Sequence, residues 1–145
     1  MCFAQTRILV SRAKAAGTAD LIALAQPILS SLTAATHETS ALNVRKGDEA
    51  EVIATKLSPQ RLISMMRLGD RSPLYATSSG KVILASLAED RLDAYLARVR
   101  LQSIAAQTLT SRSALRKEIE VVRSAGFGRA VEEFTPGVVG LAVPD

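Results

Sequence analysis

Three consecutive hydroxyl residues, Thr77, Ser78 and Ser79, stand where an extended stretch of the chain gives way to a predicted helix. A Gly69-Asp70 turn signal precedes them. The first backbone N–H groups of a helix lack intrahelical partners and carry the positive end of the helix dipole. Such a helix start can bind the carboxylate of a small ligand. Segment 67–85 therefore predicts a binding site for an organic anion.

Other residues with chemical potential do not assemble into a catalytic pattern. Lys81 does not belong to a phosphate-binding loop, because the Walker pattern needs Gly at position 75 and Ser or Thr at position 82, where this chain has Tyr75 and Val82. His37 is the only histidine, and we expect it to interact with free carbonyls at a helix C-terminus. There is no nucleophile elbow, acid pair or metal-ligand spacing. We predict that the chain is not an enzyme and has no metal and no cofactor.

The composition is that of one globular domain. The chain has 145 residues, of which 48% are hydrophobic. Aromatic residues make up 3%, which argues against base stacking, and the 18 Lys and Arg residues are scattered, which favours a solvated surface over a nucleic-acid footprint. A lone Cys2 suits a reducing compartment, and no apolar run reaches the roughly 18 residues of a membrane span. These features predict a cytoplasmic protein with no membrane partner.

The first third of the chain reads as helical. Residues 4–16 favour a helix that Gly17 closes. Thr18 or Asp20 can cap a second helix, which Pro27 is expected to interrupt, with a fresh helix beginning beside it.

The remainder alternates between strand and helix patterns. A hairpin is predicted from 39–45 and 51–57, followed by a third strand at 62–68 and two closing strands at 127–133 and 138–143. Helices are predicted from about residue 78, over 89–99, and from Thr110 or Ser111 to Gly126. The order indicates an α+β fold with a mostly antiparallel sheet flanked by helices.

Three blocks of sequence resemble one family of regulators. They are DLIALAQPILSSLTAATHETSALNV at 20–44, RLGDRSPLYATSSGKVILA at 67–85 and GFGRAVEEFTPGVVGLAVP at 126–144. In order and spacing they are similar to the C-terminal sensor domain of the isocitrate-lyase-regulator-like (IclR) family of bacterial transcription regulators. The resemblance covers most of residues 18–145 and implies a GAF-like (profilin-like) fold.

The same resemblance implies a domain plan and partners. Residues 1–17 would be a linker helix leading from an N-terminal winged-helix DNA-binding domain that this sequence lacks. Residues 18–145 would be the effector-binding domain, without the family's last strand and C-terminal helix. DNA would be bound only through the missing domain, and the chain would form a homodimer or tetramer in which the Ile8-Leu9 helix lies between subunits.

A ligand site is implied in the same way. Ser78 and Ser79 match the residues whose backbone N–H groups hold the ligand carboxylate in the family, although both could also serve as helix caps. Ser64 and Met66 would look into the cavity, and Met66 could equally be plain core. Leu74 is placed with them among the ligand-binding residues.

The opposite wall departs from the family. Ala130 and Gly140 stand where family members often carry polar ligand contacts, which implies a larger and less polar cavity, or one that binds nothing tightly. Glu132 shares the face of Ala130 and could substitute for them, or could be a solvated carboxylate at a strand end.

We therefore predict a domain that senses a small organic acid, aromatic or a keto acid, and thereby modulates DNA binding and transcription. The alternative is a ligand-free oligomerisation module, or a truncated regulator that no longer functions. A GAF-like enzyme is disfavoured by the missing catalytic constellation.

Overall fold

A six-stranded sheet organises the computed structural model, which describes residues 4–10, 17–60 and 66–144. The strands are β1 (Ala4–Val10), β2 (Ser40–Lys46), β3 (Glu49–Lys56), β4 (Arg71–Pro73), β5 (Gly128–Val131) and β6 (Val138–Pro144). The α-helices are α1 (Thr18–Thr36), α2 (Ser78–Ala85), α3 (Glu89–Arg98) and α4 (Arg112–Ala125), and a 3-10 turn covers Leu74–Ala76.

The strands lie in the order β4-β3-β2-β1-β6-β5. The pairs β2–β3, β3–β4 and β5–β6 are antiparallel, whereas β1 is parallel to both β2 and β6. The predicted α+β fold is confirmed, as are both predicted hairpins, because the turns at 47–48 and around Gly137 connect adjacent antiparallel strands.

The helix predicted for residues 4–16 is wrong where the structure describes that range. Ala4–Val10 is a strand, and the expected helix at Ile8-Leu9 between subunits falls with it. The sheet offers the same residues a backbone partner on each side, namely Ser40–Asn43 and Val138–Pro144. The rest of the predicted linker helix, residues 11–16, lies outside the described residues.

Helix α1 is continuous, so the predicted interruption at Pro27 is wrong. A proline removes one helical hydrogen bond and frees the carbonyl four residues earlier, here that of Ala23. Ala23 and Pro27 both lie on the solvent face of α1, where water can satisfy that carbonyl. The N-cap is Gly17 without a side-chain bond, so neither Thr18 nor Asp20 caps the helix.

The C-terminus of α1 depends on a left-handed residue. His37 has φ 58°, and its backbone N–H donates to the Thr33 carbonyl at 2.8 Å. This conformation costs about 1 kcal/mol for a residue other than glycine. His37 therefore ends the helix through its backbone.

The third predicted strand, 62–68, lies mostly outside the described residues. Its last three residues, 66–68, are not strand, because they lead into the turn at Leu68-Gly69. The strand that pairs with the outer edge of β3 is Arg71–Pro73.

Helices pack on both faces of the sheet. On one face α1 buries Ala25 and Leu29 against Leu42 and Ala54. On the other, α2, α3 and α4 form the main core, in which Leu92, Leu96, Leu115, Ile119 and Val122 are buried. Ser111 caps α4 by accepting the Ala114 N–H, and Gly126 ends it with φ 77°, both as predicted.

Helix α3 is fastened to the β2–β3 turn. The Arg98 guanidinium donates to both carboxylate oxygens of Asp48, at 2.9 and 2.6 Å, and this bond holds the pKa of Asp48 below its usual value. Beneath it, burial raises the pKa of the Tyr95 hydroxyl. The Arg98–Asp48 ion pair fixes the end of the sheet relative to the helical layer.

Within the described residues, α1 is the one helix that is long and apolar enough to cross a membrane by length and composition. A single such helix is weak evidence of a span, and its inner residues pack on the sheet.

Candidate functional site

A cavity of about 330 Å³ lies between the start of α2, the sheet and the β5–β6 loop. Its apolar wall is formed by Val52, Met66, Ala76, Ala130, Phe134 and Val138. Its polar wall includes Asn43, Thr77, Ser78, Ser79 and Glu133. The cavity is thus amphipathic, with three hydroxyl residues at the start of α2 and further polar residues on the sheet and the β5–β6 loop.

Thr77 is the residue that caps α2. Its backbone is extended, and its hydroxyl accepts the Gly80 N–H at 3.1 Å. Because Thr77 takes this role, the side chains of Ser78 and Ser79 are not needed for capping. Within the described part of the chain, neither serine's backbone N–H has a hydrogen-bond acceptor, as expected at the first positions of a helix.

Ser78 is a buried polar residue on this wall whose hydroxyl stands out for lacking a partner within the part of the chain that the structure describes. It is 2% exposed, and its Oγ has no hydrogen-bond partner among the described residues. A buried hydroxyl without a partner costs on the order of 1–3 kcal/mol, which calls for an explanation. A ligand oxygen in the cavity would supply the missing partner.

Two glycines bring the sheet close to Ser78. A Cβ on Gly140 would lie 2.7 Å from Ser78 Oγ, and one on Gly128 would lie 2.7 Å from the Ser78 carbonyl oxygen. The expectation that a small residue at 140 simply enlarges the cavity is therefore incomplete, because Gly140 is required for β6 to pack against the serine.

Lys81 is held in an ionic cluster beneath the cavity. Its Nζ lies 2.9 Å from both carboxylate oxygens of Glu133, 3.0 Å from Glu118 Oε1 and 2.8 Å from the Arg129 carbonyl. The Lys81 side chain is 1% exposed. Its charge is thus paired within the protein, and the cavity-lining carboxylate of Glu133 is neutralised.

Of the residues that the sequence assigned to the site, five line the cavity: Ser78, Ser79, Met66, Ala130 and Gly140. Ser64 lies outside the described residues.

Two assigned residues lie elsewhere. Leu74 is fully buried in the main core and does not reach the cavity wall. Glu132 takes a left-handed conformation, φ 52°, and its carboxylate accepts the Gly137 N–H at 2.7 Å. This bond stabilises the β5–β6 turn, so Glu132 does not replace the missing polar contacts. The adjacent Glu133 faces the cavity because the chain turns at Glu132.

Sequence reasoning identified neither Asn43 nor Glu133 as a residue of the site. Asn43 is 1% exposed and lines the cavity from β2. Asparagine is disfavoured in strand interiors, so its place within the apolar strand pattern SALNV was an available signal.

The described residues contain no group of three or more His, Cys, Asp or Glu side chains able to hold a metal ion. The arrangement therefore offers hydrogen-bond donors to a bound molecule, with an apolar surface beside them.

Comparison with known proteins agrees with this architecture. Residues 13–145 match the family model described as Bacterial transcriptional regulator IclR C-terminal. Over 115 residues the chain is 36% identical to the HTH-type transcriptional regulator Rv1719 of Mycobacterium tuberculosis, covering 79% of this chain and 44% of that protein. The chain spans 42% to 51% of the length of the curated relatives that it matches.

Solved structures give the same result. The C-terminal domain of the Escherichia coli transcriptional regulator KdgR superposes with a TM-score of 0.77 at 33% identity, covering 86% of this chain and 71% of that one. The inducer-binding domain of the PobR transcription factor from Acinetobacter, a double mutant in complex with 3-hydroxybenzoic acid, gives 0.78 at 28% identity, with 85% and 73% covered. The chain belongs to the family of IclR C-terminal domains of bacterial transcriptional regulators.

Proposed function

We propose that the cavity binds the carboxylate of a small organic acid and that this domain is the effector sensor of a transcriptional regulator. The observation that carries the proposal is the unpartnered Ser78 Oγ, buried beside the N–H groups of Ser78 and Ser79 at the start of α2. A hydroxyl and two N–H groups at the positive end of a helix match the acceptor oxygens of a carboxylate.

The size and lining of the cavity support a small, partly apolar acid. Ligand pockets start at about 300 Å³, and this cavity has about 330 Å³. Met66, Phe134 and Val138 provide an apolar surface for a ring or branched chain. The solved PobR domain with 3-hydroxybenzoic acid supports the same class of ligand.

Regulation would follow from differential binding. An acid that binds one packing arrangement of the regulator better than another shifts the balance toward it. The chain spans about half the length of its curated relatives, and we place the DNA-binding activity of such a regulator in the remaining part of the protein. We therefore propose that the acid changes transcription through that remaining part.

Acid binding is expected to raise the melting temperature of the protein. At a concentration 100 times its Kd, a ligand adds about 2.7 kcal/mol to the free energy of unfolding. Thermal shift with millimolar benzoate, hydroxybenzoates and short keto acids measures this, with the corresponding amides as uncharged controls. The variant Ser78→Ala is expected to weaken every acid that binds. Absence of stabilisation by every acid would contradict a sensor and favour a ligand-free oligomerisation module.

We propose further that the chain assembles with copies of itself through the outer face of α1. Leu24 and Ile28 are four residues apart on that face and are 67% and 53% exposed. Large apolar side chains at successive turns are typical of a surface that another chain covers.

Replacing both residues, Leu24→Glu with Ile28→Glu, is expected to convert a homo-oligomer to a monomer because the charges cannot be buried in the interface. Analytical ultracentrifugation measures the change. Val121→Glu, at an exposed position on α4, is the matched control and is expected to leave the oligomer intact. A monomeric parent protein, or equal disruption by the control, would contradict this interface.

A further inference from the structure

One buried polar residue of the cavity lies on the sheet, away from the start of α2. Asn43 lies in β2, opposite Val52 of β3, and both residues line the cavity. The side chain of its neighbour Leu42 lies in the α1 core on the other face, as alternation along a strand requires. Asn43 is therefore aimed away from α1 and toward the cavity.

A bulge in β3 sets this arrangement. Leu42 pairs with Ala54 while Asn43 pairs with Val52, so Ile53 has no opposite partner. An extra residue in one strand re-aims the side chains on either side of it. It allows Ala54 to pack under α1 with Leu42 while Val52 faces the cavity with Asn43.

The side-chain amide of Asn43 has N–H donors that no other group in the described part of the chain accepts. Within the described residues its Nδ2 has no hydrogen-bond partner, although the side chain is only 1% exposed. Buried amide N–H groups are normally paired, and one left unpaired lowers stability. Protein stability alone would favour an apolar residue here, since Val52 and Ala130 on the same cavity wall are apolar.

Among the residues that the structure describes, the other buried polar groups of the cavity do not accept a hydrogen bond from Asn43. Glu133 is paired with Lys81, and the Thr77 hydroxyl accepts the Gly80 N–H. Ser78 Oγ also lacks a hydrogen-bond partner among the described residues, and it stands at the helix wall. Ser78 Oγ on α2 and Asn43 Nδ2 on β2 are thus two uncharged cavity groups without a partner in the described part of the molecule, at separate positions.

We infer that Asn43 determines ligand specificity by donating from Nδ2 to an acceptor oxygen, a hydroxyl or carbonyl, carried by the acid away from its carboxylate. This inference rests on the proposed function, in which the carboxylate occupies the Ser78 end. A site built to hydrogen-bond an oxygen rejects the analogue that lacks it, because its own polar group is then left unpaired. The ligand class is therefore a hydroxy or oxo acid, in preference to an acid with a purely apolar body.

Pairs of acids that differ at one oxygen test the inference. We choose 4-hydroxybenzoate with 4-methylbenzoate, and 4-oxopentanoate with 4-methylpentanoate, and measure affinities by calorimetry. The wild-type protein is expected to prefer the oxygen-bearing member of at least one pair by about tenfold. Asn43→Leu is expected to abolish that preference, whereas Ser78→Ala is expected to weaken both members alike and keep the preference.

The free protein gives a second readout. Asn43→Leu removes an unpaired amide, so its melting temperature without ligand is expected to equal or exceed that of the wild type. A clear decrease would show a structural role for Asn43 and overturn the inference. So would an oxygen preference that survives Asn43→Leu, or the absence of any preference in a wild-type protein that binds acids.

The two proposals fail in different ways. If neither the wild type nor Asn43→Leu binds any acid, the proposed function fails and the specificity role fails with it. If acids bind but the preference does not depend on Asn43, only the present inference is overturned.

Discussion

Replacing Lys81 with methionine is expected to lower the free energy of unfolding by about 3 kcal/mol. The ammonium group is the partner of the buried Glu133 carboxylate and also bonds Glu118 and the Arg129 carbonyl. Methionine fills a similar volume but leaves Glu133 charged and unpaired inside the protein. Chemical denaturation at neutral pH measures the loss.

A second substitution distinguishes the loss of the Lys81–Glu133 ion pair from a loss of packing at position 81. Lys81→Met combined with Glu133→Gln is expected to recover at least half of the loss, because the glutamine is neutral and can still accept the Val131 N–H that Glu133 accepts at 3.1 Å. Lys117→Met on the exposed face of α4 is the matched control, with an expected change below about 0.5 kcal/mol. A Lys81→Met protein as stable as this control would contradict a role for the cluster.

Gly80→Ala is expected to be at least as damaging, with a loss of more than about 3 kcal/mol. A Cβ at position 80 would lie 2.1 Å from the Leu74 carbonyl oxygen and 2.4 Å from its Cα. The obstacle is backbone, so no side-chain rotation can relieve the overlap. The 3-10 turn that carries Leu74, Tyr75 and Ala76 into the core would have to move away from α2.

The sign of this effect is informative. In an exposed helix, Gly→Ala stabilises by about 1 kcal/mol, so a stabilised Gly80→Ala protein would show that α2 and the 3-10 turn are not in close contact. Gly17→Ala is the control, because a Cβ there meets nothing closer than 3.7 Å and the backbone, φ −61° and ψ 153°, suits alanine. Thermal and denaturant unfolding of both variants provide the comparison.

Failures of the sequence predictions share a cause. Residues 4–10 have a weak local preference, and strand pairing with β2 and β6 decided their structure. A proline inside a helix is better tolerated where water can satisfy the freed carbonyl, and for Pro27 this depends on which face of α1 is solvated. Neither fact is contained in a local window of sequence.

In the candidate site, too, some features follow from local sequence and others depend on tertiary structure. The start of α2 was predictable, since Thr77, Ser78 and Ser79 precede an apolar run and a helix start always leaves free N–H groups. The role of Glu132 was not predictable, because the left-handed backbone at Glu132 turns its side chain toward Gly137. That conformation is set by closure of the β5–β6 turn.

The sequence by itself determined the α+β class, both hairpins, the helix caps at Ser111 and Gly126, and the location of the helix start at Thr77, Ser78 and Ser79. These features depend on local periodicity, on turn and capping residues, and on backbone groups that every helix leaves unpaired. Only the tertiary structure decided which side chains share the cavity, because the β3 bulge aims Asn43 inward and the glycines at 80, 128 and 140 set how closely the backbones approach. Such contacts join residues far apart in the chain, and their distances follow from packing.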